Sequence, residues 1–139
     1  MAATRHRGAI LLLTLSLVAV APISRAESAA VNQPAHIAAE ESGIASWYGK
    51  RHQGRRTASG ETFDLNKLTA AHPRLPLGTR LEVTNRRNGR SVEVRVNDRG
   101  PHVPGRSLDL SRAAAAALDG VTAGLIPVTM RVVGSPGSH

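Results

Sequence analysis

Two stretches of strict alternation, Arg80–Thr84 and Ser91–Val96, constrain this chain more than any other feature. In the first, Leu81 and Val83 share one face, with Arg80, Glu82 and Thr84 on the other. In the second, Val92, Val94 and Val96 face one way and Ser91, Glu93 and Arg95 the other. A period of two with one apolar face is the signature of a strand that covers a core. Between the two lies Asn85-Arg86-Arg87-Asn88-Gly89-Arg90, and Asn88-Gly89 is a strong turn signal because both residues accept positive φ. The segment is expected to be an antiparallel hairpin. Ile44–Tyr48 and Val128–Val133 read as further strands. One helix is expected over Ala113–Leu118, with Ser111 as its N-cap and Gly120 closing it, and a shorter helical turn over Asn66–Ala71 before Pro73. The class is mainly β, a small barrel with one or two short helices.

The amino terminus has a different character. Arg5 and Arg7 precede an uncharged apolar run, Ala9–Val20; Pro22 breaks it, and Ser24-Arg25-Ala26 offers the small residues that a signal peptidase reads. Residues 1–26 are expected to be an export signal, with cleavage after Ala26 or, alternatively, after Ala21. Removing them takes the basic residues from 18 to 15 against 10 acidic, a net charge of +5. Residues 27–42 are polar and aperiodic and read as a flexible leader, 43–133 as the folded domain, and 134–139 as a frayed tail. A basic surface outside the cytoplasm suits an anionic envelope polymer better than nucleic acid. The chain has no cysteine. It is therefore held by packing rather than disulfides and offers no site for a lipid anchor. The histidines His36, His52, His102 and His139 show no ligand spacing, so neither metal nor cofactor is expected. A soluble monomer in the periplasm is the expectation.

The densest chemistry follows the best strand: Val96-Asn97-Asp98-Arg99-Gly100-Pro101. Asn, Asp, Gly and Pro are turn formers, and Asp98 reads both as a turn residue and as a carboxylate held at a strand end beside a loop, where catalytic acids are often placed. Thr57-Ala58-Ser59-Gly60-Glu61-Thr62-Phe63-Asp64 adds two carboxylates in a loop of small residues, and His72 follows; as a lone histidine it reads equally as a surface residue.

Together with Gly43-Ile44-Ala45-Ser46-Trp47-Tyr48-Gly49, Leu68-Thr69-Ala70-Ala71-His72, Leu75-Pro76-Leu77-Gly78-Thr79 and Arg106-Ser107-Leu108-Asp109-Leu110-Ser111, these segments resemble the rare lipoprotein A family of bacterial cell-wall proteins. The resemblance runs over about residues 43–133. It implies a six-stranded double-psi β-barrel and an endolytic peptidoglycan transglycosylase that favours glycan strands stripped of stem peptides. The family's catalytic positions fall on Glu61, His72 and Asp98. In such a lyase an acid protonates the leaving oxygen and the muramic 6-hydroxyl attacks its own anomeric carbon, so no second carboxylate is needed to activate water. Asp98 is expected to be the acid, with Glu61 raising its proton affinity by like charge and His72 orienting or relaying the proton; exchange of Asp98 and Glu61 is the alternative. Asp109, just before the helix, suits hydrogen bonds to free backbone N–H groups. Trp47 and Tyr48 point to opposite faces, one into the core and one toward a sugar ring. Arg55, Arg56, Arg99 and Arg106 are candidates for the lactyl carboxylates of bare muramic acid. A non-catalytic, expansin-like glycan-binding module and a protein-binding effector are the rival readings. The family's frequent lipid anchor and terminal septal domain have no counterpart in the residues given.

Overall fold

The computed structural model describes residues 16–19 and 39–137. The expected export signal lies outside these apart from 16–19, as do most of the leader and the last two residues of the tail. The barrel falls within the second of two units of the chain, Pro34–His139.

Six strands close into a barrel: β1 (Glu41–Trp47), β2 (Thr69–Ala71), β3 (Arg80–Asn85), β4 (Ser91–Asp98), β5 (Leu108–Leu110) and β6 (Ile126–Gly134). Their order around it is β1, β5, β2, β4, β3, β6. β1 runs parallel to β5 and β2 parallel to β4, and the remaining contacts are antiparallel. The hairpin of β3 and β4 forms in the expected register, Leu81 opposite Val94 and Val83 opposite Val92. Its loop uses Asn88-Gly89 differently from the expectation. Only Gly89 takes positive φ, at 75°. The Asn88 side chain instead donates to Leu118 O and accepts from Arg90 N. The core comprises Leu81, Val83, Val94, Val96, Leu108, Leu110, Ile126, Val128 and Met130, closed at one side by Ala114, Ala115 and Leu118 of the helix α1 (Arg112–Ala117) and the residue after it.

Four boundaries depart from the sequence reading. β1 begins at Glu41, inside the expected leader, because Glu41 and Ser42 pair with Met130 and Thr129. β6 extends to Gly134, and Pro136 packs against Gly78, so the tail is shorter than expected. Asn66–Ala71 is not a helical turn. Thr69, Ala70 and Ala71 are fully buried as β2 between β4 and β5, and pairing on both sides overrides the local preference of two alanines for helix. β5, only three residues long, is too short to show a period.

α1 starts as expected, with Ser111 Oγ accepting from Ala114 N. Its end differs. Asp119, at φ 54°, takes the left-handed position; Asp119 N bonds Ala116 O, and Gly120 N bonds Ala115 O. Gly120 is needed for space: a Cβ there would sit 2.1 Å from Cδ1 of the fully buried Ile126.

Candidate active site

Asp98 ends β4, directly after the buried Val96 and Asn97. Its two carboxylate oxygens have different surroundings. Oδ1 accepts from Ala58 N at 3.0 Å and from its neighbour Arg99 N at 2.8 Å. Oδ2 is met by the hydroxyl of Tyr48 at 3.5 Å. Two backbone donors fix the orientation of the group and leave Oδ2 as the oxygen that can carry a hydrogen into the cleft. That cleft has a volume of about 240 Å³ and is lined by Tyr48, His52, Arg55, Arg56, Thr57, Phe63 and Asp98. The Tyr48 ring stands edge-on to Phe63 at 5.2 Å and tilted over His52 at 4.9 Å, so its hydroxyl has little freedom to leave Asp98. Burial first, then the charge of Asp98, push the Tyr48 phenol well above its ordinary value, and it stays a donor.

Glu61 lies on the loop whose Ala58 N bonds Asp98. Both of its oxygens are held by one guanidinium: Arg95 Nη1 reaches Oε2 at 2.6 Å and Nη2 reaches Oε1 at 2.7 Å. Ser59 Oγ adds a third donor at 2.9 Å. The Arg95 hydrogen bonds are the main reason that the Glu61 carboxyl lies at about 2, far below the ordinary 4.5. From the sequence Glu61 is expected to raise the proton affinity of Asp98 by like charge or, alternatively, to be the acid itself; in the structure its carboxylate is paired by both oxygens with the guanidinium of Arg95. Around it Thr57 N bonds Glu61 O, Ser59 N bonds Asn97 O, and between them Ala58 N is presented to Asp98.

His72 is not a surface histidine. It is 3% exposed, and Nδ1 accepts from Arg74 N and Leu75 N, both at 3.0 Å, tying the turn that follows β2. Burial is the leading cause that lowers its proton affinity below the usual 6.5. Its link to Asp98 runs through the main chain, His72 N to Asp98 O at 3.2 Å. A depressed histidine favours folding above its unfolded value and loses that contribution as pH falls. Unfolding by urea should therefore show stability declining from pH 6.5 downward. His72→Asn, which can still accept from the two amides, should flatten that decline. His72→Ala should instead cost about 1–3 kcal/mol at neutral pH by stranding both donors.

The other expected residues divide. Trp47 packs against the core and donates from Nε1 to Val121 O at 3.3 Å, so of the pair it is Tyr48 that lines the cleft. Arg99 is committed to the turn, with Nη1 on His72 O at 3.2 Å and Leu75 O at 2.7 Å. Arg106 pairs with Asp109 at 2.8 Å. Asp109 accepts from Ser46 Oγ and Arg106 rather than from the helix backbone, whose cap is Ser111. Arg55 and Arg56 line the cleft, and Arg56 Nη1 bonds Gly60 O at 2.8 Å. Neither has an acidic partner among the described residues. Arg95, the brace of Glu61, escaped the sequence reading because alternation marks it only as an outward strand residue. His52 escaped because its value lies in stacking on Tyr48. Among the described residues no three His, Asp or Glu side chains are grouped to share a metal ion.

Residues 40–130 match the family model described as lytic transglycolase. The chain is 52% identical over 97 residues to an endolytic peptidoglycan transglycosylase RlpA of Campylobacter jejuni, covering 70% of this chain and 35% of the relative. It is 60% identical over 77 residues to the protein of the same name from Yersinia pestis, covering 55% of this chain and 21% of that one. The chain thus spans between about a fifth and two fifths of the length of these curated relatives. Among solved structures, a Streptomyces papain inhibitor superposes with a TM-score of 0.58 at 27% identity, over 70% of this chain and 97% of that one. Apo Clavibacter michiganensis expansin does so at 0.57 and 27%, over 72% and 53%. A mutant of that expansin in complex with cellohexaose gives 0.57 and 26%, over 73% and 54%. Family match, strand order and neighbours agree: this chain belongs to the lytic transglycolase family and carries its double-psi β-barrel.

Proposed function

We propose that this barrel is an endolytic peptidoglycan transglycosylase that acts outside the cytoplasm, with Asp98 as its acid and base. The observation that carries the reading is the asymmetry of the Asp98 carboxylate: Oδ1 is anchored by two amides, and Oδ2 is turned to Tyr48 and the cleft. Protonated Oδ2 donates to the glycosidic oxygen as the bond from the muramic anomeric carbon breaks. The muramic 6-hydroxyl oxygen then bonds to that carbon and returns its proton to the Asp98 carboxylate. Atoms balance without water, the products being a 1,6-anhydromuramic end and a free N-acetylglucosamine 4-hydroxyl. Tyr48 donates to the ionised carboxylate between the two transfers. Arg55 and Arg56, whose charges no acid balances among the described residues, are suited to the carboxylates of bare glycan. Glu61 and His72 act by placing Asp98.

A second reading has support from the expansin neighbours, one of them holding cellohexaose: the same cleft binds glycan without cutting it. The two separate on product chemistry. Purified, peptide-free glycan strands incubated with the protein should yield 1,6-anhydromuramic ends by mass spectrometry. Binding to those strands without any such ends would leave the expansin-like reading standing and end the enzymatic one.

A further inference from the structure

His52 lines the cleft without a part in the proton transfers assigned to Asp98. It ends a single turn of 3-10 helix, Lys50–His52, and its backbone is held on both sides: His52 N bonds Gly49 O and Arg55 N bonds His52 O, each at 3.1 Å. The ring lies against Tyr48, centroid to centroid at 4.9 Å and tilted by 37°. Its two nitrogens differ. Nδ1 is buried and has no hydrogen-bond partner among the described residues. Nε2 has none either but is accessible, so it is the nitrogen that a molecule in the cleft can reach. A buried N–H with nothing to donate to is rarer in proteins than a bare acceptor. The neutral ring therefore carries its hydrogen on Nε2 and leaves Nδ1 as the lone pair. Stacking on Tyr48 needs no nitrogen at all, and a phenyl ring would provide it without a buried polar atom.

The other neutral polar side chains of the cleft are already bonded within the protein. Tyr48 donates to Asp98, and Thr57 Oγ1 is bonded to Ser59 Oγ and Glu61 O. Arg55 and Arg56 are cations, matched to carboxylates. The Nε2–H of His52 is thus the neutral, donor-only group that the cleft offers to a bound strand. A bare glycan presents three kinds of acceptor. Its hydroxyls both donate and accept, its carboxylates suit the guanidiniums, and its acetamido carbonyl oxygens are neutral and only accept. A neutral donor meets a neutral acceptor without the desolvation cost that a guanidinium would carry into the same contact.

We propose that His52 is a substrate-binding residue that reads the acetamido group: its Nε2–H donates to the carbonyl oxygen of a 2-acetamido substituent on the sugar in the cleft. This rests on the reading of the cleft as a site for peptide-free glycan. The ring that presents its hydroxyl to Asp98 also carries His52 against it, so one side chain sets the acetamido contact relative to the reacting carboxylate. Glycan whose sugars have lost the acetyl group is a poor ligand for such a cleft.

The full protein and its variants can be co-sedimented with peptide-free strands, either N-acetylated or chemically de-N-acetylated, to give a Kd for each. Removing the acetyl exposes an ammonium that Arg55 and Arg56 repel in every variant alike, so each variant is compared with the parent on the same strand. His52→Phe keeps the stacked ring and removes the donor. It should bind N-acetylated strands about tenfold more weakly than the parent and de-N-acetylated strands equally well. His52→Gln gives up the ring but keeps an N–H at the reach of Nε2, and should stay within about threefold of the parent on both. A role limited to stacking predicts the reverse order, with His52→Phe like the parent and His52→Gln impaired on both strands; that result overturns the proposal. An equal loss on both strands in His52→Phe also overturns it, since Nε2–H would then serve a hydroxyl. If His52→Phe does not fold, His52→Leu replaces it: a loss confined to N-acetylated strands supports, and an equal loss or none overturns. A parent that binds neither strand overturns the glycan reading of the cleft and this assignment with it. A parent that binds but leaves no anhydro ends fails only as an enzyme, and the acetamido contact is then decided by the Kd values alone.

Discussion

Asp98→Asn should leave glycan binding intact while lowering the yield of 1,6-anhydromuramic ends by about a thousandfold, the middle of the range for loss of a general acid–base group. The substitution is nearly isosteric. The carbonyl oxygen of the new side chain would still accept from Ala58 N and Arg99 N, so the loop over residues 57–61 and the end of β4 would keep their places. Its amide nitrogen would take the Oδ2 position and donate to the Tyr48 oxygen, reversing the bond seen in the parent. Shape and cationic lining would be preserved, and only the exchangeable proton would be lost. The check is paired: co-sedimentation with purified strands for binding, and mass spectrometry of the soluble products for cleavage. Retained turnover would remove Asp98 from the mechanism. Lost binding together with lost turnover would mean that the carboxylate holds the strand rather than cutting it.

The parts of this protein that could be read directly from sequence are those whose cause is local. Leu81, Val83, Val94 and Val96 repeat at the period of a strand, and Gly89 allows the chain to turn between them, so the β3–β4 hairpin was legible in register. Ser111 announced the helix start for the same reason. β2 and β5 were not legible, since three-residue strands carry no period and owe their conformation to neighbours on both sides. The site follows the same division. Asp98 stands out because Asn97-Asp98-Arg99-Gly100 makes a turn at a strand end. The state of Glu61 depends on Arg95, 34 residues away, and that of His72 on amides which only the folded turn presents to it. Family resemblance pointed to all three residues alike. The proposal of one acid and two braces draws on their hydrogen-bond partners, which no single stretch of sequence contains.

The distinction can be tested on the partner of Glu61 as well as on Glu61 itself. If Glu61 were an acid, Glu61→Gln would abolish cleavage while Arg95→Ala, by freeing its proton affinity, would spare or raise activity at low pH. As a brace, the two should behave alike. Loss of either releases the ends of the loop that carries Ala58 N onto Asp98, and displacement of a reacting group by about 1 Å can cost on the order of a hundredfold in rate. Each single variant is expected to lose about that much in kcat. The double variant should be no worse than the poorer single one, because one interaction is removed once. Acid stability adds an independent sign. A carboxyl held at about 2 in the folded protein, against an ordinary 4.5, contributes stability above pH 4.5 that disappears as pH falls toward 2. Its side chain is 41% exposed, so water screens the pair and the contribution is modest, about 1 kcal/mol or less. Glu61→Gln and Arg95→Ala should both flatten the stability profile over that interval, by circular dichroism in graded urea. A Glu61→Gln protein that still loses stability there as steeply as the parent would detach the ion pair from the loop, and with it the reason for calling Glu61 a brace.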